Sequence, residues 1–127
     1  MTTATTEITN EERATFAIRM IENDLKTNTE KRSTLIANLA ESTSFLGSTI
    51  DDLANFNSRV SIYTTALTII NNTEDKVEAL AQVKDYATRR TMNDSLMNST
   101  SLGNNLVGLT DRAAFISLIQ QISNIGL

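Results

Sequence analysis

The chain has 127 residues and a mass of 14.0 kDa, enough for one domain with a core of its own and too short for two. It contains no Cys, His, Trp or Pro, which excludes disulfides, a thiol nucleophile, an imidazole base and the usual zinc and copper ligands. Fifteen acidic and eleven basic side chains give a formal net charge of −4, and this balance argues against general nucleic-acid binding.

Short uncharged polar residues are unusually common, because Thr, Ser and Asn together number 43. Such side chains lose little conformational entropy when a partner covers the surface that carries them, so the composition is typical of a protein whose surface is buried in contacts with other protein. A biased genome would produce the same richness, and the sequence does not separate these two explanations. In composition alone, with no motif, the chain is similar to small subunits of filaments, secretion machines and virus particles.

The first half of the chain begins with a polar arm over residues 1–9. Thr9 or Asn10 is predicted to cap a first helix, with two acids in its first turn. Its apolar residues recur at helical spacing: Ala14, Ala17, Ile18, Ile21 and Leu25. We expect a joint between helices at Thr27–Thr29.

The strongest pattern is a heptad seam between residues 30 and 71. Five apolar residues stand seven apart: Leu39, Leu46, Leu53, Val60 and Leu67. In the second half Phe56, Tyr63 and Ile70 complete the seam, whereas Ile36, Thr43 and Ile50 flank it on the other side in the first half. This change of flank near Gly47 indicates either one long kinked helix over about 30–71 or, as we prefer, a break with Ser48 or Thr49 as cap. Asn57 lies beside the seam, where an amide can fix helix register.

The second half of the chain predicts two further helices. The polar run at 71–75 ends one helix, and Thr73 is expected to cap the next, which continues to about Met92. Residues 93–109 are interpreted as a loop, and a final helix is expected from Thr110 or Asp111. The residues expected to face inward on the helix that ends near Met92 are Val77, Leu80, Ala81, Val83 and Ala87. The final helix is apolar over more than half its circumference and carries Phe115, Ile116, Leu118, Ile119, Ile122 and Ile125. The predicted fold is all-α, a single domain over 1–127 built as an antiparallel bundle of four to five helices.

The clusters of charged residues give little support for catalysis or metal binding. With no His, acid–base catalysis would depend on paired carboxylates at Glu11–Glu12, Glu22–Asp24, Asp51–Asp52 or Glu74–Asp75, and three of these pairs follow predicted helix caps. Arg89 and Arg90, with Lys84 one turn earlier, form the densest basic spot. This spot is either a contact for an anion or acidic partner or ordinary charge at a helix C-terminus. We predict no enzyme activity, no cofactor and no metal site.

The broad apolar helix faces indicate a protein-binding role instead. The first hypothesis is a structural or assembly subunit that packs on itself or on a neighbour in a particle, filament or secretion machine. Its predicted interface residues are Phe56, Tyr63, Phe115, Ile119 and Ile122. The alternative is a small cytosolic adaptor that binds one protein through a helix groove. No secretory signal and no membrane span are predicted, so the expected location is the cytoplasm or an assembled particle.

Overall fold

Four helices account for nearly all of the described chain. The computed structural model describes residues 7–41, 47–92 and 102–127. Its helices are α1 (Asn10–Glu41), α2 (Gly47–Asn71), α3 (Lys76–Thr91) and α4 (Leu102–Asn124). The described ranges contain no strand, and the four helices pack together, which confirms the predicted all-α bundle.

The start of α1 is fixed by Thr9, one of the two predicted caps. Its hydroxyl oxygen accepts a 3.1 Å hydrogen bond from the backbone N–H of Glu12 and donates to the Glu12 carboxylate at 3.1 Å. The predicted joint at Thr27–Thr29 is wrong, because α1 continues through it. There the Asn28 amide and the Thr29 hydroxyl donate to the carbonyls of Asp24 and Leu25, each at 2.7 Å, so these polar side chains are satisfied within the helix.

The heptad region forms two helices and not one. α1 ends at Glu41 and α2 begins at Gly47, so the preferred break is confirmed, although residues 42–46 lie outside the described part of the chain. The caps expected at Ser48 or Thr49 are wrong, because both positions already lie within α2. Along the seam, Leu39, Leu53, Val60 and Leu67 are half-buried, and of these Leu67 packs against the core. Leu46 is outside the described residues.

The α2–α3 connection lies where the polar run predicts it, but the capping residue differs. Asp75 caps α3 by accepting hydrogen bonds from the backbone N–H groups of Val77 at 2.9 Å and Glu78 at 3.4 Å. Thr73 instead donates its hydroxyl to the carbonyl of Ile69 at 2.8 Å, closing the end of α2. α3 then runs to Thr91 with Met92 as its C-cap, in agreement with the predicted end.

The predicted loop at 93–109 is wrong over residues 102–109, which form the first two turns of α4. The rest of that loop lies outside the described residues. Gly103 and Gly108 favoured a loop in the sequence, yet Gly108 is buried inside the helix, where packing offsets the roughly 1 kcal/mol cost of glycine. α4 ends in a Schellman motif, with Gly126 at φ 86° and the Leu127 N–H bonded to the Ile122 carbonyl at 3.2 Å.

The packing of the helices places α2 against both α1 and α4, and α3 mainly against α4. Contacts between Lys84 and Leu127 and between Arg90 and Phe115 show that α3 and α4 run antiparallel. Since α2 and α3 are joined by a tight turn and also run antiparallel, the neighbouring helices α2 and α4 point the same way. The bundle is therefore antiparallel along the chain, and both the α2–α4 pair and the α1–α3 pair are parallel neighbours.

The core occupies one end of the bundle. Its buried apolar residues are Ala14, Ala17, Ile18, Ile21, Ile62, Tyr63, Ala66, Ile70, Ala79, Leu80, Val83, Ala87, Ala114, Phe115, Leu118 and Ile122. The expected inward face of α3 is confirmed at Leu80, Val83 and Ala87, but Ala81 is exposed and Val77 is half-buried. In α4, Ile116 is exposed, whereas Phe115, Leu118 and Ile122 are buried.

The lengths of the helices leave part of the molecule outside this core. At 1.5 Å per residue the 32 residues of α1 span about 48 Å, whereas the 16 residues of α3 span about 24 Å. Among the side chains whose burial is described, α1 has none fully buried after Ile21 and α2 has none before Ser58. Residues 27–41 and 47–57 thus form a two-helix extension, called here the hairpin extension.

Candidate functional site

The hairpin extension carries apolar side chains that the described chain covers only in part. Leu35, Leu39, Leu53 and Phe56 are half-buried, while Ile36 and Ile50 are 51% and 42% exposed. Phe56 and Leu35 line a shallow depression of about 460 Å³ whose other walls are polar side chains of α1. The two helices are tied across this region by Arg32, whose guanidinium donates to the Asn57 amide oxygen at 3.3 Å. The amide beside the heptad seam therefore joins α1 to α2.

A second depression lies where the hairpin extension meets the start of α4. It has a volume of about 480 Å³ and is bordered by Ile50, Leu53 and Leu106. At its inner end the hydroxyls of Ser58 and Thr110 share a 2.7 Å hydrogen bond between α2 and α4. Leu109, one turn along α4, is 52% exposed. Apolar surface thus continues from the hairpin extension onto α4.

A separate apolar surface lies at the opposite end of α1. Phe16 is 58% exposed and Ile8 is 60% exposed, and both border a depression of about 660 Å³ formed with Ile125 and Gly126. The Arg13 guanidinium covers Gly126 so closely that an added Cβ would lie 2.9 Å from its Nη1. This surface was missed by the sequence reasoning. The signal for it is a phenylalanine on the face of α1 opposite the Ala14, Ala17, Ile18 and Ile21 stripe.

The five predicted interface residues divide into two groups. Phe56 and Ile119 are half-buried and retain surface that a partner can touch. Tyr63, Phe115 and Ile122 are at most 1% exposed and belong to the core of the folded chain. Loss of assembly in a Phe115→Asp variant would therefore report unfolding, so tests of an interface need exposed residues.

The predicted basic spot is engaged within the chain. Lys84 Nζ donates to the backbone carbonyl of Leu127 at 3.3 Å, and Arg89 Nε pairs with the Asp85 carboxylate at 3.0 Å. The Arg90 guanidinium carbon lies 5.6 Å from the centre of the Phe115 ring, a cation–π contact. The three cations hold α3 to α4 or to itself, which agrees with ordinary charge near a helix C-terminus.

A polar network crosses the bundle at the level of Tyr63. Arg59 Nη1 donates to the Tyr63 hydroxyl and to the Ser117 hydroxyl, each at 3.2 Å, joining α2 to α4. One turn along α4 from Ser117, the Gln121 amide donates to the Asp24 carboxylate and joins α4 to α1. Burial raises the pKa of Tyr63 above its ordinary value; the Arg59 charge opposes the shift, and the Asp24 charge adds to it.

This raised pKa predicts a loss of stability at alkaline pH. The folded chain keeps the Tyr63 proton at a pH where the unfolded chain has lost it, so the contribution is complete below about pH 10 and declines as pH rises through the folded pKa. Urea denaturation of the wild type and of Tyr63→Phe across pH 8–12 measures the difference. The free energy of unfolding of the wild type should fall relative to that of Tyr63→Phe as pH rises. A difference between the two free energies that stays constant with pH would contradict the raised pKa of Tyr63.

The acid pairs considered for catalysis lie mainly at helix starts. Glu11 and Glu12 occupy the first turn of α1, and Asp75 is the cap of α3. Asp51 and Asp52 are exposed near the start of α2. Within the described ranges, no three acidic side chains come close enough together to hold a metal ion.

None of the described helices combines the length and apolar character needed to cross a bilayer. Comparison of the chain with protein-family models, with curated proteins and with solved structures finds no match.

Proposed function

We propose that this protein is a non-enzymatic structural or assembly subunit, which packs on copies of itself or on a neighbouring subunit through apolar helix faces. The observation that carries the proposal is the hairpin extension. Roughly half of α1 and the first turns of α2 lie beyond the core, yet they present Leu35, Ile36, Ile50, Leu53 and Phe56. Several large apolar side chains left partly exposed on one part of a fold are typical of sites that bind protein.

The chemistry of the surface supports packing rather than recognition of a charged ligand. Short polar residues, among them Thr34, Asn38 and Asn57, border the apolar ones. Such side chains cost less entropy to immobilise than Lys or Glu, and interface cores are depleted in charge. A particle, filament or secretion-machine component is the class of protein that we favour.

The alternative, a monomeric adaptor, is ranked second. An acidic partner of such an adaptor at the basic spot would compete with the contacts that Lys84, Arg89 and Arg90 make with Leu127, Asp85 and Phe115. The hairpin extension would serve an adaptor as well, so the two proposals differ in whether the chain associates with itself.

The test is light scattering after size exclusion, over about a hundredfold range of concentration. We expect the mass to rise above 14.0 kDa with concentration. Replacing both Ile36 and Ile50 by Ser should lower the mass, because these side chains are exposed and cost little stability when removed. Ser33 and Thr65, which are exposed on the same helices and line neither depression, supply a control when they are replaced by Ala and Ser, respectively. A mass that the Ile36 and Ile50 replacements leave unchanged would contradict a role for the hairpin extension.

A further inference from the structure

We propose that the exposed face of α1 around Phe16 binds a second copy of this chain, with the two α1 helices antiparallel about a two-fold axis at Phe16. This face consists of Glu12, Phe16 and Arg19, with Ile8 at its edge, and is called here the Phe16 face. The inference rests on the proposed function, since it names one partner and one contact for an assembling subunit. It concerns a different surface from the hairpin extension.

The first support is the position of Phe16 outside the core. It is 58% exposed, on the side of α1 opposite Ala14, Ala17 and Ile21. An aromatic side chain at the centre of a contact, packed on its own symmetry copy, contributes much of the association energy of a small interface. Ile8 and Ile125 border the depression beside Phe16 and would extend the apolar contact.

The second support is the arrangement of charge on the Phe16 face. Glu12 lies about 6 Å before Phe16 along the helix axis, and Arg19 lies about 4.5 Å after it. Viewed down the axis, both are offset to the same side of Phe16, by roughly 40° and 60°. A two-fold axis perpendicular to the helix reverses the axial direction and keeps the side. It therefore brings Glu12 of each copy against Arg19 of the other.

The charge pattern also selects the orientation. A parallel two-fold pair keeps each residue at the axial level of its copy but on the opposite flank of the contact, so Glu12 of one copy never meets Arg19 of the other. Only the antiparallel pair makes two opposite-charge contacts. Both side chains are exposed, and Arg19 forms no salt bridge with the described part of the chain, so its charge is available to a partner. Glu12 receives one hydrogen bond, from the Thr9 hydroxyl, which leaves its second carboxylate oxygen open.

The test uses charge reversal in the full chain, followed by light scattering or sedimentation equilibrium. Arg19→Glu presents two acids on the face and Glu12→Arg presents two bases, so each variant alone should dissociate about tenfold more readily. Glu12→Arg keeps the hydrogen bond from the backbone N–H of residue 12 to the Thr9 hydroxyl, because this bond does not involve the side chain of residue 12. An equimolar mixture of the two variants should recover association, because every contact between unlike chains is again acid against base. The double variant Glu12→Arg with Arg19→Glu should recover it as well.

Two further variants complete the experiment. Phe16→Ser removes the central contact and should raise the dissociation constant about thirtyfold or more. Lys26→Glu makes the same change of charge on an exposed part of α1 outside the Phe16 face, and should leave association unchanged. Circular dichroism confirms that each variant is folded.

The outcomes separate this inference from the proposed function. A wild-type mass that stays at 14.0 kDa throughout would overturn the second copy as the occupant of the Phe16 face. Assembly that is unaffected by Phe16→Ser and Arg19→Glu but reduced by the Ile36 and Ile50 replacements would overturn the inference and support the hairpin extension. Recovery in the mixture of the two charge variants supports the inference whatever the hairpin variants do.

Discussion

Replacing Phe115 by alanine is expected to destabilise the fold by about 3–5 kcal/mol, whereas the same replacement at Phe16 should change stability by no more than about 0.5 kcal/mol. The two residues are chemically identical and differ in burial, since Phe115 is 1% exposed and Phe16 is 58% exposed. Their comparison separates the contribution of core packing from that of an exposed aromatic ring.

The cost at Phe115 has three physical sources. Truncation removes apolar surface from the core and leaves a cavity between α3 and α4. It removes an edge-to-face contact with Tyr86, whose ring centre lies 5.5 Å away at an interplanar angle of 82°. It also leaves Arg90 without the ring that its guanidinium covers.

Urea denaturation followed by circular dichroism measures both variants. At a concentration low enough to keep the chains monomeric, Phe16→Ala should unfold with the wild-type midpoint. Equal losses at the two positions would show that Phe16 is also packed in the free chain, and would remove the basis for the Phe16 face as a binding surface.

Much of the fold follows from local rules that the sequence states directly. Thr9 with Glu12 three residues later predicts the start of α1, and the polar run ending at Asp75 predicts the α2–α3 connection. These elements depend on hydrogen bonds between neighbours in the chain. The stripe at Ala14, Ala17, Ile18 and Ile21 predicts the core face of α1 for the same reason, since helical spacing alone places those residues together.

The errors arise where packing between distant helices outweighs local preference. Thr27–Thr29 and residues 102–109 have poor helix propensity, yet α1 and α4 pass through them because neighbouring helices cover one side. The heptad seam misplaces the centre of the core for a related reason. The core at α2 consists of Tyr63 and Ile70, which belong to the second position of the seam, together with Ile62 and Ala66 beside them, so it lies to one side of the Leu53, Val60 and Leu67 line. A regular seam marks apolar surface, but it does not decide which part of that surface the other helices cover.

The sequence predicts that apolar surface is present on the helices, but it does not predict which of the apolar residues stay exposed. The excess of apolar helix surface is visible in the sequence, and Phe56 lies half-buried on the hairpin extension. Tyr63, Phe115 and Ile122 were selected because large apolar residues dominate both cores and interfaces, and the structure places them in the core. Phe16 was missed because a single aromatic residue on a polar face has no periodic partner.

The second large effect is the loss of stability expected when a small buried side chain is enlarged. Six alanines among the described residues are fully buried, and they are spread over all four helices: Ala14, Ala17, Ala66, Ala79, Ala87 and Ala114. Side chains this small let helix backbones approach closely, and Gly108 adds to the same effect in α4. Replacing Ala87 by leucine should therefore force α3 away from its neighbours and cost about 1–3 kcal/mol.

Ala81 is the matched control for this replacement. It lies on the same helix but is exposed, and leucine has nearly the helix propensity of alanine, so Ala81→Leu should change stability by no more than about 0.5 kcal/mol. Urea midpoints of the two variants measure the difference. If Ala87→Leu were as stable as Ala81→Leu, there would be space for a leucine side chain beside Ala87. The close packing of α3 against its neighbours would then be contradicted. A larger loss of stability in Ala87→Leu would show that the buried alanines limit the size of the side chains that the core can hold. Apolar periodicity in the sequence does not reveal this limit, because it does not depend on side-chain size.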